Sequence, residues 1–323
     1  MNISRPKTSI PPLSSELNAD LHSHSTASDG TLEPEALAER AAANGVQLWS
    51  LTDHDVISGQ ARAHAAASAC GMRYLTGVEI SVSFASDTVH IVGLGFDPAE
   101  STALARGLAA NRDGRGPRAQ KMAEGLAKAG ISGAYEGALR HAGSPALIAR
   151  THFARFLIET GVCRDNGEVF RRFLTAGKPG YVPHHWAGLS EAIGWITQAG
   201  GVAVIAHPAR YRLTPVEKYA LFTEFKAHGG HGIEVVTSSH TPAEIAHYAS
   251  IAREFNLAAS RGSDFHSPRE SRTDLGRLPP LPVSTPDFPL PTLHGQPLPN
   301  GSYLNYFLGF GGSHCAWVLD WQD

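Results

Sequence analysis

The sequence predicts an α/β protein in which about seven strands alternate with helices around a parallel sheet. Three observations carry that expectation. Short apolar or β-branched runs recur along the chain, Ala-rich helical stretches separate them, and histidines and carboxylates gather where the runs end.

The elements follow in order. ADLHSH (19–24) reads as the first strand, and LEPEALAERAAANG as a helix with Pro34 in its first turn and Gly45 as its stop. QLWSLTDH (47–54) is the second strand, followed by the helix SGQARAHAAASACG. RYLTGVEISV (73–82) and VHIVGLGF (89–96) are the third and fourth strands. Residues 98–183 then break the rhythm with helix-like sequence and no convincing strand until GYV, which predicts a helical insertion. The alternation resumes with SEAIGWITQAG, VAVIAHP (202–208), PVEKYALFTEFKAHG, GIEVVTS (232–238), PAEIAHYASIAREFN and LAASRGSDFH (257–266).

Both ends differ from this body. Residues 1–17 read as a flexible extension. Residues 281–323 form an atypical tail, proline-rich at first and then aromatic, whose last stretch could dock back as a short element.

Composition bounds the function. The chain has 323 residues, 42% of them apolar, enough for one large domain or two smaller ones. A net charge of −3 supplies no global field for duplex DNA or a membrane surface. The N-terminus lacks an apolar core of signal-peptide length and no run of about 18 apolar residues occurs, so the expectation is a cytoplasmic protein with no membrane contact and no obligate protein partner. Cys70, Cys163 and Cys315 are scattered and odd in number, which disfavours disulfides and thiolate metal sites. Any metal must be held by imidazole and carboxylate.

Those groups are abundant at one place. In DLHSHSTASDG, His22 and His24 stand two residues apart, so on a strand both imidazoles aim at one point, and Asp29 follows in the loop. TDHD ends the second strand, GVE brings Glu79, VHIVG brings His90, AHP brings His207, and SDFH brings Asp264 and His266. In TDHD, spacing alone leaves Asp53, His54 and Asp55 open. A single buried histidine is more often a satisfied core residue than a ligand. Six histidines and three carboxylates at one rim are different, because they repel when charged and are costly to desolvate when unpaired; divalent cations remove both penalties. Nine donors suit two or three Mn²⁺, Fe²⁺ or Zn²⁺ ions, with Mn²⁺ the first expectation. Such a cluster retains positive charge, attracts an anion, and matches the device for phosphoester hydrolysis by a metal-bridging hydroxide. No GxSxG elbow and no P-loop offers a rival chemistry.

DLHSH, LTDHD, GVEIS, HIVGLGF, AHPARY and GSDFH, in this order, resemble the polymerase and histidinol phosphatase (PHP) phosphoesterase family from about residue 18 to 280. The Asp of ASDG and the insert segments RTHFARFL and GKPGYVPHHW resemble the branch of 3′,5′-nucleoside bisphosphate phosphatases and 5′-to-3′ exoribonucleases that trim short RNA. The resemblance implies a distorted (β/α)₇ TIM-like barrel built from 18–97 and 184–280, with 98–183 as a helical insertion over the substrate. It implies that His22, His24, Glu79 and Asp264 hold one metal. Glu79 would bridge to a second held by His90 and His207, and Asp29, His54 and His266 would hold a third. Asp20, Asp53 and Asp55 are then expected to orient ligands.

The substrate expected is a small phosphorylated nucleotide or a short single-stranded RNA. Thirteen Lys and Arg face six Asp and Glu between 106 and 178, an excess that solvated helix faces largely explain. Within it, Arg118, Arg150, His152 and Lys178 are the candidates for gripping a second phosphate, since guanidinium suits phosphate well. Tyr181, Trp186 and Phe153 are the aromatic candidates for stacking a base. Water or His240 could protonate the leaving oxygen. A histidinol-phosphate phosphatase of the same family, or a non-catalytic metal- or nucleic-acid-binding module, are the alternatives; a module would be expected to have lost ligands. An amidohydrolase would want a bridging strand lysine, and no predicted strand carries one.

Overall fold

The computed structural model describes residues 17–282 except 86 and 100, together with the backbone of two short strands near the C-terminus. Nearly all of the expected extension over 1–17, and most of the tail over 281–323, lie outside the described residues.

The seven expected strands are present as β1 (Ala19–Asp20), β2 (Leu48–Leu51), β3 (Arg73–Phe84), β4 (Asp87–Leu94), β6 (Val202–Ile205), β7 (Gly232–Thr237) and β8 (Ala258–Gly262). A two-residue strand β5 (Ala187–Gly188) pairs with β3, so the first strand after the helical stretch is here and not at GYV. In the tail, β9 (Tyr306–Leu308) pairs antiparallel with β10 (His314–Ala316) and meets β8 at Ala259. The helices between strands are α1 (Pro34–Ala43), α2 (Gln60–Ala69), α8 (Leu189–Gln198), α9 (Pro215–Ala227) and α10 (Pro242–Glu254). Their starts follow local chemistry: Pro34 occupies the first turn of α1, and Thr214 with Glu217, then Thr241 with Glu244, form capping boxes at α9 and α10.

β1, β2 and β3 run parallel, as do β6, β7 and β8. β4 is antiparallel to both β3 and β6, which corrects the all-parallel expectation. Ala85 and residue 86 alone separate β3 from β4, far too few for a parallel crossover. The sheet curls until its edges meet: Leu21 N–H donates to Arg261 O at 3.0 Å, Asp264 N–H to His22 O at 2.8 Å and His24 N–H to Phe265 O at 2.8 Å. The result is a nearly closed, distorted barrel.

β4 shows how the faces divide. Val89 and Ile91 join the large core that includes Ile193 and Ile196 of α8, whereas Val92 and Leu94 join a separate cluster with Leu21, Leu48, Val204 and Ala206. His90 alternates onto the same face as Val92 and Leu94. A polar site therefore stands above an apolar plug, whose fully buried Leu and Val side chains each contribute about 1.5–3 kcal/mol.

Between β4 and β5 lie α3 (Thr102–Asp113), α4 (Arg115–Lys128), α5 (Ala134–Ala142), α6 (Arg150–Glu159) and α7 (Asn166–Val169), ending in a π-helical turn over Phe170–Leu174. They have a core of their own around Leu126, Phe153, Leu157, Val169 and Leu174. Gly137 is required there, since a Cβ would lie 2.1 Å from the Phe156 ring. Phe153, a stacking candidate from sequence, is fully buried in this core.

Candidate metal centre

The nine rim residues come together at the strand ends. His22 and His24 follow β1 on one face, with their Nε2 atoms 3.1 Å apart. His54 follows β2 and pairs with Glu79 through a parallel bridge. His90 stands near the start of β4, and only because β4 is reversed does its start reach the rim where the other strands end. The β4 register sets His90 beside Ser81 and brings its Nδ1 to 2.9 Å from Glu79 Oε1.

His207 and Asp264 depend on unusual backbone. Alternation along β6 would put residue 207 on the face of Ala203 and Ile205, away from Ala206. His207 instead adopts φ +26°, which turns its Nε2 to 2.9 Å from Glu79 Oε1. Asp55 and Asp264 have φ +53° and +54°. Three left-handed non-glycine residues at strand ends around one site are local strain held by the surrounding structure.

Glu79 is the hub. It is fully buried, and its two oxygens divide the histidines: Oε1 meets His90 and His207, both at 2.9 Å, while Oε2 lies 3.3 Å from His22 and His24 and 3.0 Å from His54. Asp264 Oδ1 lies 3.2 Å from His24 and 3.5 Å from His22 and His266. Asp29 Oδ1 lies 3.3 Å from His266 Nε2, 3.9 Å from His24 and 4.0 Å from His54. The donor atoms of His22, His24, Glu79 and Asp264 are mutually within 4.8 Å, as are those of His24, Asp29, His54 and His266, and of His54, Glu79 and His90.

The donors fit divalent cations. His24 Nδ1, Asp29 Oδ1, His54 Nδ1, Glu79 Oε2 and His207 Nδ1 are buried without a hydrogen-bond partner among the described residues, an arrangement too costly to leave uncompensated. The titration behaviour agrees. Burial opposes charge on His24, but Asp264 and Glu79 outweigh it and push its pKa up to about 10. Burial and the neighbouring Arg210 guanidinium push His207 down to about 4. Burial would raise Glu79, yet His54, His90 and His22 hold it well below the usual carboxylate range; His266 and His54 do the same for Asp29. The carboxylates demand positive charge at this point, and a bound cation supplies it.

The three outer aspartates hold backbone and helices and do not touch the imidazoles. Asp20 accepts from Ser263 N–H and Gly276 N–H, both at 2.8 Å. Asp53 accepts from Ser25 N–H at 2.8 Å and from the Ser25 and Ser28 hydroxyls. Asp55 accepts from Ser81, Asn111 and Arg115. One carboxylate beyond the nine also meets a rim imidazole, and it is not among the residues expected from the sequence. Glu234 Oε1 lies 2.7 Å from His22 Nδ1, and its Oε2 accepts the His207 N–H at 2.6 Å. A glutamate in the middle of the apolar run GIEVVTS was the available signal.

Of the expected substrate contacts, Arg118 and Arg150 are electrostatic neighbours of each other and of Tyr181. Arg115, not foreseen, completes the group; Arg115 and Arg118 stack over Trp186 at 5.1 and 5.6 Å. Burial and the adjacent Arg150 and Arg115 push Arg118 down to about 10. His152 is buried, accepts the Ala149 N–H at Nδ1, and leaves Nε2 without a partner among the described residues. Lys178 is exposed on the loop after the π-helical turn. His240 Nδ1 lies 2.9 Å from Val235 O, which ties it to the β7 end.

Residues 20–196 match the PHP domain family. A 3′,5′-nucleoside bisphosphate phosphatase of Chromobacterium violaceum is 51% identical over 265 residues, 82% of this chain and 93% of that protein. A 5′-3′ exoribonuclease of Escherichia coli is 43% identical over 251 residues, 77% and 85% of the two chains. Among solved structures, a C. violaceum protein described as an amidohydrolase, with bound sulfate and no metal, aligns with TM-score 0.79 at 50% identity over 82% of this chain and 92% of its own. A putative metal-dependent phosphoesterase of Bifidobacterium adolescentis aligns with TM-score 0.70 at 29% identity over 80% and 91%.

Proposed function

This chain belongs to the PHP domain family, and from that premise we propose that it is a metal-dependent phosphoesterase that removes the 3′-phosphate of nucleoside 3′,5′-bisphosphates, with stepwise 5′-to-3′ trimming of short RNA as the related activity. The observation that carries this reading is Glu79, one buried carboxylate with five imidazoles shared between its two oxygens. We assign His22, His24, Glu79 and Asp264 to one ion, Glu79 with His90 and His207 to a second, and Asp29, His54 and His266 to a third, with Mn²⁺ as the ion expected and Fe²⁺ or Zn²⁺ as substitutes. Bound ions of this kind activate water and neutralise phosphoryl oxygens.

The chain's own residues do the rest. Glu234 holds the His22 ring by its Nδ1, so Nε2 faces the cluster. Arg118 and Arg150, with Arg115 beside them, offer guanidinium groups to a second phosphate, and Tyr181 is adjacent. The helices over 102–174 act as the cap that excludes water and admits the nucleotide. His152 presents Nε2–H, because Nδ1 already accepts the Ala149 N–H, and so donates to a substrate oxygen as a neutral group. The sequence relatives named for nucleotide and RNA substrates support this class of substrate.

Adenosine 3′,5′-bisphosphate and a 5′-phosphorylated RNA trimer, each given with Mn²⁺, test the reading, with the His22→Ala, His24→Ala double variant as the blank. Release of AMP and phosphate, or of 5′-mononucleotides one at a time, that is absent from the blank is the expected result. Turnover of histidinol phosphate alone would move the assignment to the other phosphatase of the family. Inactivity toward all three substrates with metal bound would overturn it.

A further inference from the structure

The first turn of α6 lies against Asp29, outside the group of donors that Asp29 shares with His54 and His266. The Thr151 hydroxyl donates to Asp29 Oδ2 at 2.6 Å, while Oδ1 is left facing the imidazoles with no hydrogen bond of its own. One turn later, Arg155 Nη2 donates to the Asp29 carbonyl at 2.6 Å. The same guanidinium grips Glu270 through Nε and Nη2, both at 2.8 Å. Glu270 belongs to the turn that follows His266, and the Thr31 N–H donates to His266 O at 2.9 Å. Arg155 therefore ties together the two loops that carry Asp29 and His266.

We infer that Thr151 and Arg155 are positioning residues for one ion of the cluster, so that the helical segment completes the Asp29, His54, His266 site as well as covering substrate. This inference rests on the reading of the rim as a metal centre. A carboxylate that must present one oxygen to a cation needs its other oxygen fixed, and a short hydroxyl donor does this without adding charge. The close ion-pair partners of Glu79 and Asp264 come from the barrel strands and their loops and not from α6. The coupling is thus confined to one ion. It has a consequence for substrate, since Arg150 and His152 flank Thr151 on the same turn. A nucleotide that orders this turn strengthens binding of that ion, and the ion strengthens binding of the nucleotide by the same factor.

Thr151→Val removes the hydroxyl and keeps the shape; Thr151→Ser restores the donor. Bound Mn²⁺ is counted and its affinities are measured by equilibrium dialysis and Mn²⁺ electron paramagnetic resonance on the full chain, without substrate. In Thr151→Val one class of bound ion should weaken by about 10–100-fold, with the others unchanged and the loss reversed in Thr151→Ser. Equal affinities in wild type and Thr151→Val would overturn the inference and leave the metal reading intact. So would a loss spread evenly over all ions, or a loss that Thr151→Ser shares. A wild type that binds no Mn²⁺, Fe²⁺ or Zn²⁺ would instead overturn the metal reading itself.

Discussion

The barrel rim and the arginine group of the helical segment carry opposite deficits. At the rim, buried carboxylates and ring nitrogens stand within 3–4 Å of one another, and several of their atoms have no hydrogen-bond partner among the described residues, so the region lacks cations. In the helical segment, burial and the neighbouring Arg150 and Arg115 guanidinium groups lower Arg118 to about 10, so Arg118 and Arg150 call for an anion. Neither arrangement is stable chemistry by itself. A ligand with phosphate at both ends would satisfy both, one end on cations held by the rim and the other on guanidinium groups. The two regions also differ in rigidity of construction. The rim is fixed by strand register and backbone strain, whereas the arginines are held by side-chain contacts: Arg115 by Asp55, Arg118 by Val182 O, both by the Trp186 ring, and Arg150 by the Phe170 ring.

The largest expected effect separates the regions most sharply. Glu79→Gln keeps the size of the hub and removes its charge. Phosphate release should fall by about a thousandfold or more, the size expected when several kcal/mol of transition-state charge stabilisation is lost. Mn²⁺ content, measured by elemental analysis, should fall with it. Full metal content and near-normal turnover in Glu79→Gln would remove the rim from the mechanism.

The same contrast explains what was legible in the sequence. The nine rim residues were readable because strand ends impose a pattern: apolar runs set the register, and polar residues just beyond them must share a mouth. The reversal of β4 was not read, although only the few residues between RYLTGVEISV and VHIVGLGF separate the two strands and no crossover helix fits there. His90 lies beside Glu79 all the same, because a histidine on the reversed strand reaches the same rim. Glu234 was missed for a different reason. It sits inside a strand and not at its end, and its meaning depends on His22, more than two hundred residues away. On helices the pattern is weaker still. Sequence context marks out Arg118, Arg150 and Lys178 among thirteen basic residues, but it does not tell Arg115 from a solvated neighbour, because its partners Asp55 and Trp186 come from other parts of the chain.

A middle-sized effect tests the arginine region alone. Arg118→Ala with Arg150→Ala should raise KM for a nucleoside bisphosphate about 100-fold, since each charge-assisted contact to phosphate contributes about 1.5–3 kcal/mol and the two overlap. Turnover at saturation and Mn²⁺ content should stay within a few-fold of wild type. A substrate with one phosphate, such as a simple aryl phosphate, should show no change in KM. An equal rise for both substrates would mean that these arginines act on the rim and not on the distal phosphate.

The smallest effect probes how the arginines are held. Trp186 has Arg115 and Arg118 over its ring at 5.1 and 5.6 Å, has His184 packed edge-on at 4.2 Å, and is anchored by its backbone N–H to Ser83 Oγ at 2.8 Å. Its ring supplies a face on which two like charges can lie close together, and each such contact contributes about 0.5–1 kcal/mol where the ring is partly exposed. Trp186→Leu removes the face and keeps an apolar side chain, so KM should rise about three- to tenfold while kcat and metal content hold. Trp186→Phe keeps a face and loses only the Nε1–H donated to Thr88, so it should recover most of the loss. If leucine and phenylalanine behave alike, the ring is packing and not a platform, and the arginines are ordered by Asp55 and Val182 instead. If kcat falls with KM rising, Trp186 acts on the rim through β3, where Ser83 lies only four residues from Glu79, and the two regions are one device.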